Sequence, residues 1–368
     1  MKSVDILVPS FRLDAGPLLA ILDIEPPADT TVRWIIIVDN PAASIPEAVA
    51  ARVDGTRVQM IRNPRNLGSA GARNAALDAS SAEWVLFLDD DVTPCPDLLA
   101  AYRKEVESNP DAAGFFGPTD FQRAATQYQR GVEISDILTF FRIANDGVTL
   151  PWAPTSNVLV RGDAARTERF RTLFPKGGGG EDIDYLLRVT ERAGGTLLGV
   201  PEAKVMHPWW FEGARDYTRF MRWSFGDSLL HQLHPRHTYR SAPNAVEFLV
   251  LGLPIAFGHA LVTGSVASLL AVVLGIIAGE LLAEFARLAL LKGFPASLYC
   301  VETVAIRSAN DIGRVAMQLF KLRRLRGMTE RWDHFCDGKH VPYHRRWALL
   351  KAVAHATGVA SAGWVLLW

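Results

Sequence analysis

Short apolar runs and helix-patterned segments alternate through the first quarter of the chain. Residues 3–8, 32–38, 57–61 and 84–88 are dense in Val, Ile, Leu and Trp and read as strands. Between them, residues 17–24, 46–51 and 70–79 carry apolar positions at helical spacing. Strands and helices in this alternation predict an α/β domain: a parallel sheet with helices on both faces. Each strand run closes on polar residues: Pro9-Ser10, Asp39-Asn40, Asn63-Pro64 and Asp89-Asp90-Asp91. Ligands of open α/β sheets bind at the carboxyl ends of the strands, so four polar ends predict one crevice.

The pattern changes near residue 245. Residues 248–279 contain no Asp, Glu, Lys or Arg. A membrane span needs about 20 apolar residues. Pro254 and the Thr263-Gly264-Ser265 break predict two helices, roughly 245–263 and 266–290, forming a hairpin in the bilayer. A buried helix pair in a soluble protein is the alternative. The hairpin is short for two spans, which leaves a re-entrant arm open. Glu280, Glu284 and Arg287 fall in the second arm, where charge is costly unless it faces protein or headgroups. Residues 348–368 form a further candidate span, with Trp364 and Trp368 near its end in the manner of an interfacial belt.

Between these segments, residues 296–326 repeat apolar positions at helical spacing and run into Lys321, Arg323, Arg324 and Arg326. A basic amphipathic helix beside spans lies on the membrane surface; packing on the soluble domain is the other reading. Together with Arg345 and Arg346, the basic stretch places the N-terminal domain in the cytoplasm by positive-inside bias, at a cell membrane whose lipids are its partners. The predicted organisation is residues 1–240 as the soluble domain, 241–292 as a transmembrane hairpin, 293–346 as an interfacial helix and basic linker, and 347–368 as a C-terminal transmembrane helix.

Charge and cysteine change this picture little. Lys plus Arg equals Asp plus Glu, 39 each, so no net field argues for a nucleic-acid partner. Three scattered cysteines give neither zinc spacing nor a disulfide framework, and fit reducing cytosol. The first residues lack the long apolar stretch of a secretory signal, so the chain is expected to begin directly with a strand.

Two stretches carry the chemistry. Residues 84–96 read WVLFLDDDVTPCP. Three carboxylates at a strand end repel one another unless a cation sits among them, so Asp89, Asp90 and Asp91 read as a divalent-metal site for a phosphorylated ligand. A solvated acidic turn is the alternative. Residues 62–77 read RNPRNLGSAGARNAAL. Small residues there permit close approach, and Arg73 falls near the positive end of a helix, where phosphate is welcome. A glycine-containing loop with surface arginines is the alternative. No GxGxxG accompanies them.

VPSF at 8–11, VDN at 38–40, NPRNLGSAGARN at 63–74 and FLDDDVTPCPD at 87–97 resemble the family 2 glycosyltransferases of the GT-A fold, a Rossmann-like nucleotide-sugar domain. WAPTSNVLVRGD at 152–163, GGGGEDIDYLLRV at 177–189 and VMHP at 205–208 continue the resemblance. RFMRW at 219–223 resembles the QxxRW segment of processive members, with Arg219 where glutamine is expected. Asn40-Pro41 also departs from the commoner Asp-Gly-Ser.

The resemblance implies a donor site of Pro9, Ser10, Asp39, Asn40, Asn66, Gly68, Arg73, Asp89 and Asp90, with Asp89 toward the ribose and Asp39 toward the base or ribose. It implies that Asp91 and His207 hold Mn²⁺ or Mg²⁺, and that Asp182, with Glu181 second, is the base of an inverting transfer. Hard cations take carboxylate oxygen, and manganese also accepts imidazole. Trp152, Asn157, Trp209, Arg222 and Trp223 fall to the acceptor or diphosphate; the tryptophans serve equally as membrane anchors. The implied donor is a UDP-, GDP- or dTDP-sugar, and the acceptor a lipid-linked or cell-envelope glycan. A sugar nucleotidyltransferase, or a non-catalytic membrane scaffold keeping the fold, are the competing readings.

Overall fold

The computed structural model describes residues 1–367, so Trp368, expected at the end of the last span, lies outside the described residues. The chain divides into two units, residues 1–124 with 138–212, and residues 125–137 with 213–368. The chain passes between the units for the last time after residue 212, where the sequence pattern sets the end of the soluble domain at 240. The helix Thr218–Leu233, expected in the soluble domain, belongs to the second unit.

Within the first unit, strands β1 (Ser3–Ser10), β2 (Thr31–Val38), β3 (Val58–Arg62) and β4 (Trp84–Leu88) stand where the apolar runs predict them. They are followed by β5 (Thr93–Pro94), β6 (Gly114–Phe116), β7 (Thr119–Phe121), β8 (Thr149–Leu150), β9 (Asn157–Arg161), β10 (Leu197–Gly199) and β11 (Val205–His207). The main sheet runs β3-β2-β1-β4-β9-β6-β10-β8, and a small sheet runs β5-β11-β7. The four predicted strands pair in parallel, as their helical crossovers require.

The sheet as a whole is mixed, which corrects the expected parallel sheet. β9 lies antiparallel between β4 and β6. After Leu88 strands no longer alternate one for one with helices, and several later strands are only two or three residues long. β1, β2 and β4 are buried on both faces, which is why they read as continuous apolar runs rather than alternating ones. Trp34 lies in this core with its indole N–H donated to the Ile21 carbonyl at 2.8 Å.

The second unit is helical. Ala245–Thr263, Ala267–Lys292 and Val341–Leu366 are long and apolar enough to cross a membrane. Pro254 stays inside the first helix, and the turn falls at Gly264, whose φ of 71° closes that helix. With 19 and 26 residues, both arms of the hairpin have the length of a span.

The charges of the second arm are buried and paired. Glu280 Oε2 meets His355 Nε2 at 2.8 Å. Glu284 takes Arg287 at 2.7 Å and Lys351 at 3.2 Å. They face protein, the arrangement that charge inside a span would require. Small residues allow the approach: a Cβ on Gly275 would stand 2.4 Å from the Val359 backbone, and one on Gly279 2.6 Å from the Ala354 carbonyl.

Within residues 296–326, where the sequence predicts an amphipathic helix, Cys300–Ala316 is helical. One side of it packs on Thr218–Leu233, where a Cβ on Gly313 would sit 2.0 Å from the Met221 carbonyl. Its Arg314 reaches Glu247 at 2.7 Å, while Leu298, Val301 and Ile312 are exposed on or beside it.

Candidate active site

The polar ends of β1, β2 and β4 and the loop after β3 converge at one edge of the main sheet, as the four predicted ends require. Ser10 donates its hydroxyl to Asp90 Oδ2 at 2.7 Å, joining the β1 end to the β4 end. Asp39 follows β2 and is buried. Its Oδ1 accepts from the Asn63 amide at 2.7 Å and from Leu67 N at 2.9 Å, and its Oδ2 from Gly68 N at 2.8 Å. Asp39 thus shapes residues 63–68 from within. Asn66 adds a second acceptor for Gly68 N, at 2.9 Å. Gly68 has φ 75°, and a Cβ there would stand 2.8 Å from Lys176 Cα, so no larger residue fits. Asn40 steadies the neighbouring loop, accepting from Ala42 N at 3.2 Å and donating to the Phe11 carbonyl. Pro9 lies within β1.

The helix Gly68–Ala79 carries Arg73 into the interior. There Arg73 meets carboxylates: Asp89 Oδ1 at 3.0 Å and Glu181 Oε1 at 3.1 Å. Glu181 also accepts from Ser69 Oγ at 2.9 Å and Gly179 N at 2.6 Å. Buried and thrice bonded, Glu181 serves as an anchor between two loops. Asp182 is its half-buried neighbour at the start of the helix Glu181–Ala193, with Oδ1 accepting from Ile183 N at 2.9 Å. Gly178, Gly179 and Gly180 all have positive φ, a region glycine enters without steric cost, and they deliver both acids to the helix start.

The third acid of β4's end completes a cluster. Ligand atoms of Asp89, Asp91 and His207 all lie within 4.8 Å of one another. His207 comes from β11, whose pairing with β5 and β7 brings it back beside β4. Its Nε2 lies 3.1 Å from Asp91 Oδ1. Its Nδ1 lies against the Pro208 carbonyl and is assigned as the donor there, which leaves Nε2 facing the acids. The ring stacks on Phe121 with centroids 5.1 Å apart.

The electrostatics separate these acids. Burial raises the Asp89 carboxyl above its ordinary value, Arg73 opposes this, and the charge of Asp91 adds to it. Burial also raises Asp90, with Asp91 adding. Burial would raise Asp91 too, but the His207 hydrogen bond and charge and the Arg12 guanidinium outweigh it, so Asp91 is held low. Burial lowers His207, yet its bond to Asp91 raises it overall. Two carboxylates and one imidazole in reach of a single point are a donor set for a manganese or magnesium ion, and the residues present fit one.

Several expected acceptor residues are occupied in the fold. Asn157 is buried on β9, accepting from the Tyr102 hydroxyl at 2.7 Å and donating to the Ala203 carbonyl at 2.7 Å. Asn157→Ala should cost about 2–4 kcal/mol of stability by leaving buried partners unpaired. A clearly lowered melting temperature is the expected result. An unchanged melting temperature with lost acceptor affinity would instead make Asn157 an acceptor contact. Trp152 is buried against Phe140, and Trp209 is buried with its indole N–H on the Gln122 carbonyl at 3.0 Å. Arg222 and Trp223 lie in Thr218–Leu233 of the second unit. Two participants escaped the sequence reading. Ser69 is inconspicuous in a small-residue run, and Arg12 directly follows the VPSF stretch.

The model of the family described as Glycosyl transferase family 2 matches residues 28–167. Over these residues the chain is similar to a glycosyl transferase family 2 domain. The matched residues include Asp39, Arg73, Asp89, Asp91 and Asn157; Asp182 and His207 lie beyond them. The succinoglycan biosynthesis protein ExoO of Rhizobium meliloti (strain 1021) is 33% identical over 129 residues, 35% of each chain. ExoM of the same organism is 31% identical over 184 residues, 47% of this chain and 56% of that one. The chain thus spans about a third to just over half of these relatives. Among solved structures, a mannosyltransferase from Pyrobaculum calidifontis in complex with GDP-Man and Mn2+ is similar at TM-score 0.48 and 18% identity, over 83% of this chain and 86% of that one.

Proposed function

We propose that the protein is a metal-dependent inverting glycosyltransferase. It takes a sugar from a UDP-, GDP- or dTDP-linked donor to a lipid-linked or cell-envelope glycan acceptor at the cytoplasmic face of a membrane. The observation that carries this reading is the convergence of Asp89, Asp91 and His207 within 4.8 Å, at the strand ends of a domain similar to glycosyl transferase family 2.

Departure of a nucleoside diphosphate from the anomeric carbon builds negative charge on the leaving group. A divalent ion held by Asp91 and His207, with Asp89 beside them, supplies a Lewis acid for that charge. The remaining steps belong to the chain's own groups. Asp182 takes the proton of the attacking acceptor hydroxyl, a role open to it because its carboxylate is less enclosed than that of Glu181. Arg73 and Ser69 hold Glu181, and through it the glycine turn in front of Asp182. Pro9, Ser10, Asp39, Asn40, Asn66 and Gly68 form the donor-side rim. Of the residues assigned to the acceptor or diphosphate, Trp152, Asn157 and Trp209 act within the first unit through the walls they support, and Arg222 and Trp223 are carried by the second unit.

The membrane part of the reading rests on three span-length helices, and the basic residues 321–326 and 345–346 support a cytoplasmic catalytic unit by positive-inside bias. Glycan biosynthesis in the names of two relatives supports a glycan acceptor. Purified full-length protein incubated with a panel of nucleotide sugars should release nucleoside diphosphate from one of them when Mn²⁺ or Mg²⁺ and a membrane glycolipid extract are present. Nucleoside triphosphate and sugar phosphate consumed or formed instead would make it a nucleotidyltransferase. No turnover of any donor would leave a scaffold.

A further inference from the structure

Asp91 has a partner at each of its oxygens. Oδ1 faces His207 Nε2 at 3.1 Å, and Oδ2 accepts from Arg12 Nη2. The same Nη2 lies 3.3 Å from Asp90 Oδ1. Arg12 is not one of the groups assigned above to the metal, the donor or the base.

The two arginines at this site differ in kind. Arg73 is enclosed, its side chain 7% exposed, and fixed between Asp89 and Glu181. Arg12 has a side chain 58% exposed and touches the acids only at its tip. Its loop, by contrast, is held. Ser10 Oγ donates to Asp90 and accepts from Leu13 N at 3.2 Å, and Leu13 is buried with φ 57°, a conformation a branched side chain adopts only when its surroundings impose it. A fixed loop therefore carries an exposed cation whose tip pairs with Asp90 and with the metal-ligand candidate Asp91.

We propose that Arg12 is a placeholder cation: it neutralises Asp90 and Asp91 while the metal site is vacant, leaves Asp91 when a divalent ion arrives, and then pairs with the diphosphate of the donor. This rests on the metal-site reading above. A guanidinium on Asp91 Oδ2 and a divalent ion on the same carboxylate repel each other, so the two compete. Once displaced, the exposed guanidinium stands beside the site where a diphosphate gathers, and its planar fork suits phosphate oxygens.

The signature is a reversal of sign. In Arg12→Gln, Mn²⁺ binding without nucleotide should tighten, by about three- to tenfold, because a competitor is gone. In the same variant saturated with Mn²⁺, binding of the nucleoside diphosphate should weaken by a similar factor. Arg12→Lys, which keeps the charge, should stay near wild type in both. The side chain is exposed, so the fold tolerates the change.

The experiment is Mn²⁺ titration of full-length protein in detergent, followed by electron paramagnetic resonance, and then titration of the Mn²⁺-loaded protein with UDP, GDP and dTDP. Tighter metal with weaker diphosphate supports the proposal. Metal binding that is unchanged or weaker in Arg12→Gln, while wild type binds Mn²⁺, overturns the proposal alone. So does tighter metal with unchanged diphosphate affinity. A wild type that binds no Mn²⁺, with or without nucleotide, overturns the metal reading as well.

Discussion

Asp91→Asn should lower turnover by on the order of 10³-fold, since Lewis-acid stabilisation of a leaving diphosphate is worth several kcal/mol and each 1.36 kcal/mol is a decade of rate. The carboxylate that the substitution neutralises is the one held low by His207 and Arg12 against its burial, whereas burial raises Asp89 and Asp90. An amide of the same shape keeps an oxygen toward His207 but loses the charge that balances a divalent ion. The fold should survive, because Asp91 is a half-buried residue at a turn and not a core residue. Rates of nucleoside diphosphate release, measured with the active donor across a range of Mn²⁺, check this. Excess EDTA should reduce wild type to a similar level. Full turnover in EDTA would end the metal-dependent account.

For Asp182→Asn the expected loss is about 10²- to 10⁴-fold in kcat, the usual contribution of a general base, with donor affinity retained. The structure sharpens the choice between the paired acids. Glu181 accepts from Ser69, Arg73 and Gly179 and is buried, so its lone pairs are committed to the fold. Asp182 is half-buried at the helix start. Pre-steady-state turnover and donor dissociation constants, measured on the same variant, separate the roles. A variant that loses donor affinity and keeps its turnover would make Asp182 a binding residue.

Much of this site was legible because strand ends announce themselves. β4 stands where the run 84–88 places it, and the three aspartates follow at its carboxyl end beside Ser10, Asp39 and Asn63. His207 was reachable only through the resemblance, since its return to β4 depends on β11 pairing with β5 and β7, contacts distant in sequence. The mixed sheet was not legible: β9 carries the same apolar pattern whichever way it runs, and direction is set by the connection rather than by composition.

Side-chain direction was the other blind spot. Asn157 reads as a polar group near a site, yet both ends of its amide are spent on Tyr102 and Ala203. Arg73 reads as a phosphate contact at a helix start, yet in the structure it ties Asp89 to Glu181. The span pattern was clear from residues 248–279, whereas the pairing of Glu280 and Glu284 with Lys351 and His355 needed the third helix in place.

The central claim is that Asp89, Asp91 and His207 hold a divalent ion at the donor site. Crystals of the full-length protein grown with Mn²⁺ and the nucleoside diphosphate of its donor, measured on both sides of the manganese absorption edge, test it directly. The account predicts one strong anomalous peak bounded by Asp91 and His207, with Asp89 adjacent and the diphosphate oxygens completing its shell. A diphosphate seated at these strand ends with no peak there, or a peak bound by other residues, would contradict it.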